Sequence, residues 1–310
     1  MQAVKKFLVS KAKIEQTQEQ SPLHWQIAQC EDAIVSEEPL EIWLKQQTSP
    51  PSKPERLMIT MRSLGDDINM VTGWLHTSGL VASSSHIQSV VHTGIAHLKQ
   101  GTSNQVLVTL VPNVQVDSKQ HQRLEYVNSS CGVCGQQSIE TLLDKLPQSE
   151  KSPKPLLTAQ NIFPLAAVLR EKQAVFAQTG GNHGAGLFLA DPHNTNAPYT
   201  DLIDVREDVG RHNALDKIIG ANLPMLLAPQ QNHFGVILSG RVSFELVQKV
   251  AMANIKLIIA MGAPSSLAIS LAIECDICIV GFVKEHSFNV YSVPEYIQLQ
   301  KSTVEGDQVE

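Results

Sequence analysis

The second half of the chain repeats one rhythm: a short apolar run, a turn, then a helical stretch. No other feature limits the fold as strongly. Residues 234–238, 257–261 and 278–283 are strand-length apolar runs, and 244–253 and 266–273 between them have helical spacing. Strands that alternate with helices form a layered α/β domain. Further short strands are expected at 174–177, 185–190, 202–205 and 289–291. A helix is expected after Glu207, with Gly220 as its C-cap. The first half has a different pattern. Residues 38–44 alternate apolar and polar, as a half-buried strand does. Strands are also expected at 57–61 and 105–111, and a helix over 66–75 that stops at Gly79. Residues 46–55 hold three prolines and read as a loop, and the polar, Gln-rich residues 1–20 read as a frayed end. From 112 to 155 the chain turns polar. The expected organisation is therefore a smaller α+β domain over 1–128 and a layered α/β domain over 129–310, which suits a chain of 310 residues.

Charge and hydropathy narrow the function. The net charge of -6 argues against a nucleic-acid partner held by a broad basic surface. A small anionic ligand in a local basic pocket remains compatible. No apolar run approaches the ~20 residues needed to span a bilayer, so no membrane association is expected. The N-terminus is basic but lacks a long apolar core, and the cytoplasm is the expected compartment. The cysteine count is odd, at five, which does not suit a secreted disulfide scaffold.

Four of those cysteines form two C-x-x-C pairs. Cys131 and Cys134 lie in Asn128-Ser-Ser-Cys-Gly-Val-Cys-Gly-Gln-Gln137, where no bulky neighbour shields either thiol. A sulfur carrier needs such a place, because its thiolate must be reached first by a donor and then by an acceptor. A second cysteine three residues on can tune the first or resolve an intermediate as a disulfide. Spacing alone leaves three readings open: half of a zinc site first, a redox pair second, sulfur transfer third. Cys275 and Cys278 open an apolar run and read as small core residues.

Two further turns have the form that binds anions. The run 234–238 leads into Ser239-Gly240-Arg241, and 257–261 leads into Gly262-Ala-Pro264-Ser265-Ser266, each followed by a helix. Helix N-termini collect unpaired N–H groups and favour negative charge. Two such turns on adjacent strands would line one crevice at the sheet's carboxyl edge, with Ser265 or Ser266 as an N-cap. Neither turn matches a Walker A or a G-x-G-x-x-G fingerprint. The loop Thr179-Gly-Gly-Asn-His183-Gly adds an imidazole. The run Glu207-Asp-Val-Gly-Arg211-His212-Asn-Ala-Leu-Asp216-Lys217 gathers more charged and amide groups than helix capping requires. Plain capping and packing are the alternatives at each of these places.

Taken in order, these segments resemble the formate dehydrogenase accessory sulfurtransferase family, FdhD. The stretches that carry the resemblance are Ser130-Cys-Gly-Val-Cys-Gly135, Thr179-Gly-Gly-Asn-His183 and Glu207-Asp-Val-Gly-Arg-His-Asn-Ala-Leu-Asp-Lys217. They continue with Ser239-Gly-Arg-Val-Ser-Phe-Glu-Leu-Val247, Ala263-Pro-Ser-Ser-Leu-Ala268, Gly281-Phe-Val-Lys284 and Asn289-Val-Tyr291. The resemblance implies a sulfurtransferase. A cysteine desulfurase would load Cys131 as a persulfide, with Cys134 as its partner. The sulfur would pass to the molybdenum of the bis-guanylate pterin cofactor, which serves formate dehydrogenase. It implies that Phe282, Val283, Lys284, Glu285, His286 and Ser287 belong to the cofactor-binding stretch. Ser239, Gly240, Arg241, Pro264 and Ser265 would offer donors to phosphates, and His183, Arg211 and His212 would hold further anionic groups. It also implies a homodimer, a second domain similar to the cytidine deaminase fold, and no permanently bound metal. Two positions depart from the family pattern: Ser78 stands where Glu is usual, and Lys284 where Arg is usual. A zinc deaminase would need H-x-E and P-C-x-x-C, and neither occurs around His183 or the cysteine pairs. A cofactor chaperone without covalent sulfur chemistry is the alternative function.

Overall fold

The structure, a computed structural model, describes residues 3–15, 24–48, 53–93, 104–116, 146, 154–190, 202–228 and 233–299. Cys131, Cys134 and the expected 128/129 boundary lie outside them. Within them the chain is mixed α/β.

The first sheet contains β3 (Glu37–Lys45), β4 (Glu55–Ser63), β5 (Ile87–His92) and β6 (Gln105–Leu110), in the order β4-β3-β6-β5. The alternation in β3 puts Leu40, Ile42 and Leu44 on one buried face. Helix α1 (Asp67–Thr77) covers that face with Met70, Val71, Trp74 and Leu75. These spacings of one, three and four residues set the apolar stripe of a helix against a sheet.

The second sheet holds β8 (His183–Ala190), β9 (Asp204–Asp208), β10 (His233–Leu238), β11 (Leu257–Ala260), β12 (Cys278–Gly281) and β13 (Asn289–Ser292). Its order is β13-β12-β11-β10-β8-β9. The central β10, β11 and β12 are parallel; β13 and β8 pair with them antiparallel, and β9 pairs antiparallel with β8. This arrangement is compatible with the expected likeness to the cytidine deaminase fold. Beyond His233 the central strands carry no polar side chain, because both faces are covered. Val236, Ile258 and Ile279 face helices α4 (Arg211–Leu226), α5 (Phe244–Met252) and α6 (Ser266–Glu274). Ile237, Ile259 and Val280 face α2 (Ile162–Lys172) and Tyr296. The short β7 (Leu157–Thr158) and β14 (Ile297–Gln298) pair beneath that second layer.

Several expectations are corrected. Residues 4–15 form not a frayed end but β1 (Val4–Glu15), paired in full with β2 (His24–Val35). Residues 174–177 are not a strand but part of helix α3 (Ala174–Thr179), because the Glu207 carboxylate accepts from Val175 N and Phe176 N at 2.9 and 2.8 Å and caps its first turn. The strand expected at 202–205 lies two residues later, as β9. Helix α2 was not expected at all. Gly220 does not end its helix: α4 runs on to Leu226. Its hydrogen side chain answers a crossing instead. A Cβ on Gly220 would sit 1.9 Å from Asn69 O, and one on Gly73 2.0 Å from Asp216 O. Helices α1 and α4 touch backbone to backbone there, which binds the first sheet's layer to the second.

Charged groups lock the same junction. Asp208 is fully buried and lies 2.7 Å from Lys217 Nζ, and it accepts from Ser63 N and Gly210 N. Lys249 Nζ reaches Asp216 at 2.8 Å and Thr77 Oγ1 at 3.0 Å. Arg206 spans from Asp204 to Asp66, and Asn213 donates to Met61 O.

Candidate functional site

Strand direction decides what meets what. The carboxyl ends of β10, β11 and β12 lie side by side. Strand β8 runs antiparallel to β10 with Leu238 opposite Ala185, so its first residue, His183, comes to the same edge. Strand β9 pairs with β8 through His183 and Asp208, and α4 then starts at Arg211. One rim therefore gathers His183, Arg211, His212, the turn after β10, the turn after β11 and the turn after β12. These belong to five segments separated in sequence. The two expected strand–turn–helix units stand side by side there, at the edge where open α/β sheets place ligands.

The turns support one another. Ser239 Oγ accepts from Gly184 N at 2.9 Å, and Ser239 N donates to Gly184 O at 3.0 Å. Val242 N donates to Ala263 O and Ser265 N to Val242 O, so the second turn is zipped to the first. A Cβ on Gly262 would lie 2.8 Å from Arg241 N and Cα, so that approach requires glycine. Phe282 N donates to Gly262 O, which joins the third turn to the second. Ser265 caps α6 by accepting from Ala268 N, as expected. Pro264 is half-buried beside Gly281.

Arg211, His183 and Gly240 are neighbours: a Cβ on Gly240 would be 3.2 Å from His183 Nδ1 and 4.0 Å from Arg211 Cδ. Arg211 Nε is buried and has no hydrogen-bond partner among the described residues. A buried donor left without an acceptor is costly, and an incoming anion would relieve it. Burial, then the positive charge of Arg211, hold His183 below the ordinary imidazole value, against the pull of Asp208. His183 is therefore a neutral imidazole at neutral pH. His212 Nε2 lies 3.1 Å from Ser243 Oγ and 3.0 Å from Glu245 Oε2. The hydrogen bond from His212 holds the Glu245 carboxyl below its usual range. Ser243 thus engages His212 instead of capping α5 with its side chain.

Other expected residues divide. Phe282 is 42% exposed and adopts a positive φ of 52°, a strained conformation for an aromatic residue. Val283 is buried, whereas Lys284, Glu285, His286 and Ser287 are exposed, in a turn closed by Lys284 N donating to Ser287 O. Arg241 is exposed at the rim. Asp216 and Lys217, singled out with Arg211 and His212, point inward and lock the layers. Ser243 and Glu245 were missed as individuals, although both stand in the Ser239–Val247 stretch. Burial pushes the Cys275 thiol up to about 11 and the Cys278 thiol to about 12, which fits core residues. Among the described residues no cluster of three or more His, Cys, Asp or Glu could hold a metal ion. No helix among them is long and apolar enough to cross a membrane.

The fold and this rim define an α/β protein whose turns, helix starts and unpartnered Arg211 Nε suit an anionic ligand. The chain belongs to the FdhD/NarQ family, whose model matches residues 35–298. Its relatives include proteins named sulfur carrier protein FdhD. The one from Streptomyces coelicolor is 38% identical over 89% of this chain and 92% of its own. The one from Mycobacterium tuberculosis is 36% identical over 84% and 90%. A crystal structure of a protein described as a formate dehydrogenase accessory protein, from Desulfotalea psychrophila, superposes with a TM-score of 0.63. It covers 94% of this chain and 99% of its own, at 19% identity, which speaks for the fold.

Proposed function

We propose that the chain is a cytoplasmic, homodimeric sulfurtransferase that carries sulfur as a persulfide on Cys131. It delivers that sulfur to the molybdenum of a bis-guanylate pterin cofactor destined for formate dehydrogenase. The relatives' name, sulfur carrier protein, supports the carrier half. The buried, unpartnered Nε of Arg211, set among anion-suited turns, carries the acceptor half. A cofactor with guanylate arms brings phosphates, and their oxygens are the acceptors that this donor lacks.

The chemistry balances without a metal of the protein's own. The Cys131 thiolate attacks the outer sulfur of a desulfurase persulfide; that S–S bond breaks and the desulfurase thiolate leaves. The Cys134 thiolate then attacks Cys131 Sγ. A disulfide forms, and the outer sulfur departs as sulfide with the electron pair of the broken bond, bound for the acceptor. Two equivalents of an external thiol reduce the disulfide, leave as their own disulfide, and close the cycle. On the acceptor side, Arg211 supplies fixed positive charge. His183, neutral, can donate from one ring nitrogen, and the hydrogen bonds between the turns hold the rim's backbone in place.

The test is to incubate the purified protein with a cysteine desulfurase and cysteine, then map adducts by mass spectrometry without reductant. One extra sulfur on the Cys131 peptide, lost in Cys131→Ala, is expected. No adduct on Cys131 or Cys134, with both thiols shown free beforehand, would leave the non-covalent cofactor chaperone as the better reading.

A further inference from the structure

Strands β1 and β2 form a ribbon that joins neither main sheet. With 12 residues in each strand, it is about 40 Å long. Its base is anchored where Val35 packs on Gly181 and Lys5 reaches Glu38 at 3.5 Å. Further out it is bare: Leu8 is 72% exposed, Ile27 71% and Trp25 60%. Pairing of Leu8 with Glu31, Ala12 with Ile27 and Ile14 with Trp25 places these apolar residues on one face. A ribbon of two strands is at best marginally stable in water, and a further strand is the usual remedy.

The two edges differ. Strand β1 carries Lys5, Lys6, Lys11 and Lys13, and lysines along an edge discourage further pairing. Strand β2 carries neither Lys nor Arg. Ala33 N donates to the carboxylate of its own neighbour Asp32, at 2.9 Å, so that amide turns away from β1. By alternation the backbone groups of Ile27, Gln29 and Glu31 also face outward.

We propose that the outer edge of β2 pairs antiparallel with β2 of a second copy, with Cys30 opposite Cys30 on the two-fold axis. This gives the homodimer proposed above a specific surface, and it rests on that part of the reading. The register follows from chemistry. With Cys30 at the centre, Ile27 stands opposite Ala33 of the second copy and Gln29 opposite its Glu31, apolar against apolar and amide against carboxylate. Moving the centre to Gln29 would set Ile27 against Glu31. Cys30 faces inward along the backbone, so the Cys30 pair occupies a non-hydrogen-bonded site, where Cα atoms stand about 4.5 Å apart. That separation lies within the ~4.4–6.8 Å span of a disulfide. All four lysines of β1 fall on the far edges of the resulting four-stranded ribbon.

The test uses the full chain carrying Cys131→Ser and Cys134→Ser. Sedimentation velocity gives its oligomeric state. Copper-phenanthroline with dissolved oxygen, which takes the two electrons, then oxidises facing thiols. A dimer that becomes mostly disulfide-linked, with loss of the link in added Cys30→Ser, is expected. Ile27→Lys, on the unmodified chain, should weaken dimerisation about tenfold or more while far-UV circular dichroism stays native. A dimer that forms no Cys30 link would overturn this pairing but leave the homodimer standing. A monomer at all concentrations would overturn both, and would not touch the persulfide reading.

Discussion

The junction between the two layers rests on the pair Asp208–Lys217, and Asp208→Ala tests it. Both side chains are out of solvent, with Nζ to Oδ2 at 2.7 Å. Removing one partner of a buried pair costs about 3–5 kcal/mol, because the remaining charge has lost its compensation. The same carboxylate accepts from Ser63 N at 3.1 Å and Gly210 N at 2.8 Å, and each buried amide left unpaired adds about 1–3 kcal/mol. Lys217 keeps two carbonyl acceptors, Glu207 O at 3.1 Å and Ser63 O at 3.5 Å, which offset part of the loss. A net destabilisation of about 3–5 kcal/mol is expected, a hundredfold or more in the unfolding constant. That is a large share of the roughly 5–15 kcal/mol that holds a typical domain. Urea unfolding followed by the fluorescence of Trp74, in the core beneath the first sheet, and by circular dichroism would measure it. The charge argument also requires Lys217→Met in the same chain to recover at least about 1 kcal/mol, since it removes the stranded cation. An Asp208→Ala cost below about 1 kcal/mol would refute the reasoning, as would strict additivity in the double variant.

Other expectations follow from single contacts. Gly220→Ala drives a methyl into Asn69 O across the α1–α4 crossing; the helices must part, and either a loss of about 1–3 kcal/mol or failure to fold is expected in the same urea assay. Arg211→Ala should weaken binding of GDP, used as a phosphate-bearing probe in calorimetry, about ten- to a hundredfold, as loss of a charge-assisted hydrogen bond does, without changing the unfolding midpoint; equal affinity would remove Arg211 from the site. His183 has its folded pKa below the ordinary imidazole value of 6.5, so the unfolded chain binds the proton more tightly and stability falls as pH drops through 6.5 toward the folded value. His233 is shifted the same way, by burial and then Lys256. An NMR titration should place the His183 midpoint below 6.5, and His183→Gln should flatten part of the acid-side loss; a midpoint at or above 6.5 contradicts this.

Much of the architecture can be read along the chain. The alternation in β3 and the two-sided apolar runs of β10, β11 and β12 announce burial on one face or on both, because side-chain period reports solvent contact directly. The helices after β10 and β11 and the Ser265 cap were legible for the same local reason. The family resemblance rested on motifs that are continuous in sequence, and the family match agrees with it.

Other features arise only when distant segments meet. Residues 174–179 become helical because Glu207, on another strand, supplies the cap that their own sequence lacks. Gly220 looks like a stop signal and is a crossing point, because its meaning depends on Asn69 and Gly73 in a helix from the first half. Asp216 and Lys217 share a motif with Arg211 and His212, but the turn of α4 sends the first two into the junction and leaves the last two on the rim. The ribbon of β1 and β2 was hidden by polar composition, since pairing is a relation between strands and not a property of either one. The sequence by itself determined where strands and helices alternate and which stretches carry the family resemblance, since these depend on neighbours along the chain. Only the tertiary structure decided that His183, Arg211, His212 and the three turns share one edge, because strand order and direction are set by contacts between residues far apart in sequence.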